Sequence, residues 1–253
     1  MSAVTILNRH PAEHTLPAVE LSRRILGEAR SISGPEECAP LDRLAGQLAG
    51  IDPAEIEGDA ARIAFWANLY NALLLHCVCL RPLRGSMLRH PRLFSRIAYD
   101  VGGHPYSLTL IEHGVLRRNR RAPFHLRRPL RDSDPRLAAA PTGLEPRIHF
   151  ALNCGARSCP PIRSYDPAEL EAQLEMATGA YLETEARVDR ERCRVVLPRL
   201  MRLYSADFGP PREQIAFAAR YLPELEGCRR ESSVRIRVRY GRFDWTAAAP
   251  SAP

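Results

Sequence analysis

The sequence predicts an α+β fold: a single helix-rich domain with a central buried helix and a small, mostly antiparallel sheet. Three observations carry this reading. The stretch 60–80 is apolar on nearly every side, the mark of a helix enclosed by the rest of the chain. Asp-Pro-Ala-Glu occurs at 52–55 and again at 166–169, each time ahead of a helical run. Short segments of alternating apolar and polar residues flank Gly102 and Gly103 and recur near residue 236. No internal repeat or linker-like stretch divides the chain, so one domain is expected.

In order, residues 1–37 carry a modest helical pattern and are expected to form a peripheral N-terminal arm or helix. The main domain is expected over 38–246, with a disordered tail over 247–253. Asp52 caps a short turn that Gly58 ends, and the long buried helix follows. Residues 96–108 read as strand, Gly-Gly turn, strand. Thr109 is placed to cap the next helix, with Glu112 three residues on as the capping-box partner. An Arg-rich loop then leads to "RIHFALNCGARSCPP", 147–161, which alternates like a short strand. Asp166 opens an amphipathic helix. A strand and a helical turn span 192–209, a helix covers 212–225, and a surface strand covers 232–245.

Composition narrows the functions. With 45% apolar and 26% charged residues, the chain has material for a core and is unlike a disordered one. The first residues show no basic segment followed by an apolar run. The longest apolar stretch, 72–80, is too short to cross a bilayer and carries His76. A cytoplasmic location without membrane contact is therefore expected. The net charge of +7 comes from 36 basic residues, every one arginine. With abundant Ala, Pro and Leu, this suggests a GC-rich genome more than a nucleic-acid partner. The seven arginines of 117–131 have only Phe124 as an aromatic neighbour, so a solvated face or an anion-binding loop is expected there. Seven cysteines (Cys38, Cys77, Cys79, Cys154, Cys159, Cys193, Cys228) are too few and too irregular for a disulfide scaffold.

The chemistry-bearing residues cluster in three places. In 147–161, His149 and Asn153 share a strand face, and Cys154 and Cys159 follow. Gly155 permits a turn whose free amides point back at Cys154 and could form an oxyanion hole. Cys154 is the expected nucleophile, with Cys159 as its resolving or structural neighbour. In "LTLIEHGVLRR", Glu112 and His113 point about 100° apart on an α-helix, while His113 and Arg117 share a face. An adjacent Arg favours the neutral imidazole, which suits a general base. In the buried helix, Asn68 and Asn71 lie one turn apart among apolar residues. Burying an unpartnered amide costs about 1–3 kcal/mol, so the pair implies a polar network, more often one that pins backbone than one that orients an imidazole.

These segments, with "AFWANLYNALLLH", "YDPAELEAQL", "YSADFG" and the terminal "FDW", resemble the domain-of-unknown-function 547 family over roughly 41–245. The resemblance implies a family found alone in bacteria and fused in plants to other modules, including glutaredoxin-like ones. Its motif residues fall here on Asn68, Tyr70, Asn71, Glu112, His113, Arg117, His149, Asn153, Cys154, Cys159 and Pro160. The Leu-Asn the pattern would place after "FDW" is missing, which puts the packing of that last strand in doubt.

Three readings follow. The first is a thiol-dependent hydrolase or acyl transferase acting on a small molecule or peptide. In it Cys154 attacks, His113 or His149 is the base, and Asn153 or Asn71 orients the ring. The second is a metal or redox module, with Cys154 and Cys159 sharing a zinc ion with the two histidines or cycling through a disulfide; no cofactor is otherwise expected. The third is a non-catalytic interaction domain. The sequence leaves the oligomeric state open.

Overall fold

The computed structural model describes residues 4–81, 83–123, 125–225 and 236–248. Phe124 and all of 226–235, which includes Cys228 and the stretch where the last strand was expected to begin, lie outside the described residues.

The core begins with β1 (Thr5–Ile6), α1 (Ala18–Ser31) and α2 (Cys38–Gly46). Leu21, Ile25 and Leu26 repeat at helical spacing on α1 and are completely buried against α3 (Asp59–Leu80). The expected peripheral arm thus supplies one wall of the main core. α3 runs through that core, with Phe65, Trp66, Leu69 and Leu73 all fully buried. With its polar ends included it is the one helix among the described residues long and apolar enough to span a bilayer, and it is mostly buried in protein.

After α4 (Pro91–Arg96), β2 (Ile97–Val101) and β3 (His104–Ser107) form the expected hairpin, with Tyr99 opposite Tyr106. Gly102 and Gly103 turn it at φ of 58° and 78°. β1 joins β2 in parallel. Later come α5 (Leu170–Glu185), β4 (Arg187–Asp189), β5 (Arg194–Leu197), α6 (Arg199–Leu203), α7 (Ser205–Phe208), α8 (Pro211–Ala218) and β6 (Arg237–Tyr240). β5 pairs antiparallel with β4 and parallel with β6. The fold is α+β as expected, but with two small mixed sheets in place of one mostly antiparallel sheet. The difference arises because β1 and β6 are brought in from distant segments and so are not constrained to hairpin polarity.

Two segments depart from their expected structure. Residues 147–151 are not a strand: Pro146–Phe150 is a 3₁₀-helix, with the Glu145 side chain accepting the Arg147 amide at its start. It straddles two hydrophobic clusters, Ile148 packing in the first and Phe150 in the second. Alternate burial on both sides mimics a strand period. The second departure is Leu110–Leu116, a π-helix. Its widened turn is sealed by bonds from the Arg117 amide to Glu112 (2.8 Å) and the Asn119 amide to Gly114 (2.9 Å).

The chain then closes with a strap. Met87 donates to the Trp245 carbonyl (2.7 Å), Arg157 to that of Thr246 (2.9 Å) and Ser158 to that of Asp244 (3.3 Å). Ala247 and Ala248, expected to begin the disordered tail, donate to the Gly85 and Gly155 carbonyls at 2.7 and 2.8 Å.

Candidate active site

A cavity of about 340 Å³ lies where α3, the π-helix, the turn after the 3₁₀-helix, α6 and the strap meet. Its walls include Tyr70, Glu112, His113, His149, Cys154, Cys159, Tyr204 and Trp245. Six of these were expected on sequence grounds; Tyr204 and Trp245 were not singled out.

The thiol turn is held by buried amides. Asn71 reaches from α3 to accept the Asn153 amide and donate to the Ala151 carbonyl, both at 3.0 Å. Asn68 does the same for Tyr165, accepting its amide and donating to its carbonyl at 2.9 Å. Asn153 donates to the Pro160 carbonyl (2.8 Å) and accepts the Gly155 amide (2.6 Å). All three amides therefore clamp backbone; neither Asn71 nor Asn153 orients an imidazole. Gly155 takes φ of 84°, and a Cβ there would come within 3.1 Å of Met87 Cε.

This clamp brings Cys154 Sγ to 2.7 Å from Cys159 Sγ, and the Cys154 amide donates to Cys159 Sγ at 3.1 Å. The two thiols are not equivalent. Its bond to Cys159, and then burial, push the Cys154 thiol well up. Burial also works against a Cys159 thiolate, but donation from the Cys154 thiol and from the Cys154 and Ala156 amides outweighs it and lowers that group. The more readily ionised sulfur is Cys159, the reverse of the sequence expectation, because the Cys154 amide and thiol both donate to it, while the Ala156 amide serves both sulfurs. The expected oxyanion hole is not free either. The amides of Gly155, Ala156, Arg157 and Ser158 are taken by Asn153, the two cysteine sulfurs and the strap.

Beside the thiols lies a buried ionic network. Glu112 accepts from Tyr204 Oη (2.5 Å) and Tyr70 Oη (3.2 Å). It is a buried acceptor, and the capping-box role expected for it is unfilled, since Ser107 Oγ accepts the Leu110 amide instead. Glu112 Oε1 and His113 Nδ1 approach to 3.6 Å, because π-helical winding reduces the angle between successive side chains. Burial disfavours the Glu112 carboxylate, yet His113, His149, the Tyr204 hydroxyl and Arg117 hold it below its ordinary range.

Arg117 is also buried, unlike the solvated face expected of its loop. It donates from Nη1 to His113 Nδ1 at 2.9 Å and grips both oxygens of Asp207, with Nη2 to Oδ1 at 3.0 Å. Asp207 Oδ2 in turn accepts from His149 Nε2 at 2.8 Å. That bond fixes the tautomer, leaving Nδ1 as the acceptor nitrogen of a ring stacked 3.7 Å from Tyr204. Burial pushes His113 down to about 4, against Glu112 and with Arg117. Burial lowers His149 as well, over the opposing pull of its bond to Asp207. Both rings are neutral near pH 7. Asp207 is held well below the carboxylate range by His149 and Arg117, despite burial. It is another site residue that sequence reading did not single out; the available signal was its place in the quoted motif "YSADFG".

No hydrogen bond joins either sulfur to either imidazole; the sulfurs bond each other and the rings bond Arg117 and Asp207. Among the described residues no group of three or more His, Cys, Asp or Glu side chains converges as a metal site would require.

The fold and site define an α+β protein with a dithiol and a His–Asp pair opening on one cavity. Residues 54–182, just over half of the chain, match the family described as "Protein of unknown function, DUF547", and the chain belongs to that family. The match spans α3, the π-helix and both cysteines, but not Tyr204, Asp207 or the strap. No curated protein and no solved structure matches the chain.

Proposed function

We propose that this protein is a dithiol–disulfide oxidoreductase acting on a small or peptide disulfide, with Cys159 as attacking thiolate and Cys154 as resolving thiol. The observation that carries the reading is the 2.7 Å contact between unequal sulfurs on the wall of an open cavity. Cys159 Sγ⁻ attacks one sulfur of R–S–S–R′; the substrate bond breaks and R′S⁻ leaves, taking a proton from solvent. Cys154 then passes its proton to a base and attacks Cys159 Sγ, releasing RS⁻, which is protonated in turn. The protein loses two electrons and the substrate gains them, yielding RSH and R′SH. His149 is suited to take the Cys154 proton, being neutral and held by Asp207 with Nδ1 as its acceptor nitrogen. Such a dithiol stays reduced in a cytoplasmic setting.

The test is stoichiometric. Reduced protein mixed with a small aromatic disulfide should release both halves of the reagent and form the Cys154–Cys159 disulfide. Cys154→Ser should stop at a mixed disulfide on Cys159, seen as added mass, and Cys159→Ser should release neither half at a comparable rate. Attachment to Cys154 in preference to Cys159 would defeat the assignment.

The Asp207–His149 pair favours a second reading, acyl transfer or hydrolysis by a cysteine. A nitrophenyl ester separates the two. Turnover that survives Cys154→Ser and vanishes with Cys159→Ser selects acyl chemistry.

A further inference from the structure

A second cavity, about 980 Å³, lies between β1, the C-terminal end of α3 and α4. Arg9, Arg81, Arg89, Arg92, Arg96 and His90 line it, and no carboxylate does. Some guanidinium groups elsewhere are neutralised by acids, as in Arg23–Asp166, Arg117–Asp207, Arg136–Asp134 and Arg147–Glu145. In this groove Arg9 donates to the Ile6 carbonyl, and the side chains of Arg81, Arg89, Arg92 and Arg96 make no ion pair among the described residues. Converging cations repel one another, and an anion seated among them relieves that repulsion. Planar guanidinium groups match phosphate oxygens in pairs.

The rest of the lining is mostly aliphatic, with Leu80, Leu83, Leu93 and Ile97 beside Thr5 and Cys77, and it holds no Phe, Tyr or Trp. A base or other flat ring finds no Phe, Tyr or Trp to stack on, whereas an alkyl chain has an aliphatic surface to cover. The volume is that of a site for a whole small molecule. We propose that this groove binds a phosphate monoester carried on an aliphatic chain, taken as a single molecule. The site is separate from the dithiol cavity, although Pro91 borders both, and the inference stands whether or not the redox reading does.

Calorimetric titration with octyl phosphate, inorganic phosphate and octanol tests it. Octyl phosphate should bind more tightly than either part alone. Arg89 and Arg92 are exposed, so Arg89→Gln with Arg92→Gln should leave melting and thiol exchange unchanged. The double substitution should weaken octyl phosphate about a hundred-fold, roughly ten-fold for each charged hydrogen-bonding partner removed. Unchanged affinity in that variant overturns the proposal, as does equal binding of inorganic and octyl phosphate. Binding to vesicles of phosphatidylcholine and phosphatidic acid without binding of octyl phosphate would place the arginines against a bilayer and overturn it too.

Discussion

At the scale of single residues, the unequal sulfurs give a pH signature. Cys159 is lowered from 9.0 by donated hydrogen bonds, while Cys154 is raised. Iodoacetamide labelling followed by peptide mapping should therefore modify Cys159 first, and its rate should persist to lower pH than that of a free thiol. Preferential labelling of Cys154 would invert the assignment. The histidines give a second signature, in stability. His113 is lowered from 6.5 to about 4, so between those values the unfolded chain binds the extra proton. Stability should therefore rise with pH across that window, by up to about 1.4 kcal/mol per pH unit from this group. Urea midpoints for the protein and for His113→Gln, compared from pH 4 to 7, measure it. A flat difference would show that the ring is not buried neutral. Asp207→Asn should cost about 3–5 kcal/mol at pH 7, because it leaves Arg117 buried without its carboxylate. Since the Asp207 carboxyl is lowered by folding, its contribution is present above about pH 4 and fades as pH falls further.

At the scale of elements, the thiol turn depends on α3. Asn71 spends its side chain on two backbone groups of the segment before Cys154. Asn71→Ala should lower stability by about 2–4 kcal/mol by orphaning a buried carbonyl and an amide. It should also slow disulfide formation between Cys154 and Cys159 more than it slows alkylation of either. Equal slowing of the two would make Asn71 only a packing residue. The π-helix is the other element that shapes the site. Ordinary α-helical winding would separate Glu112 from His113, and both line the same cavity. Local sequence did not reveal this, because Thr109 and Glu112 have capping-box spacing and only the hydroxyls of Tyr70 and Tyr204 draw the carboxylate inward.

At the scale of the whole molecule, the C-terminal strap unites segments far apart in the chain. It occupies the amides of Met87, Arg157 and Ser158 and lays Phe243 and Trp245 along the cavity. Ending the chain after Tyr240 should speed alkylation of both thiols several-fold and lower the melting temperature. Unchanged reactivity would show that the strap does not restrict access.

What the sequence determined by itself was whatever local periodicity and cost dictate. An all-round apolar run has to be an enclosed helix, paired glycines between alternating segments have to turn, and two amides inside that helix have to find partners. The grouping of Glu112, His113, His149, Cys154 and Cys159 was legible from residue chemistry and motif order. Tertiary structure alone set the two sulfurs apart, since that depends on the Cys154 amide and thiol both pointing at Cys159. It also decided that Asp207, rather than an asparagine, holds His149. That choice follows from a buried guanidinium some ninety residues earlier in the chain, an attraction that sequence spacing does not encode.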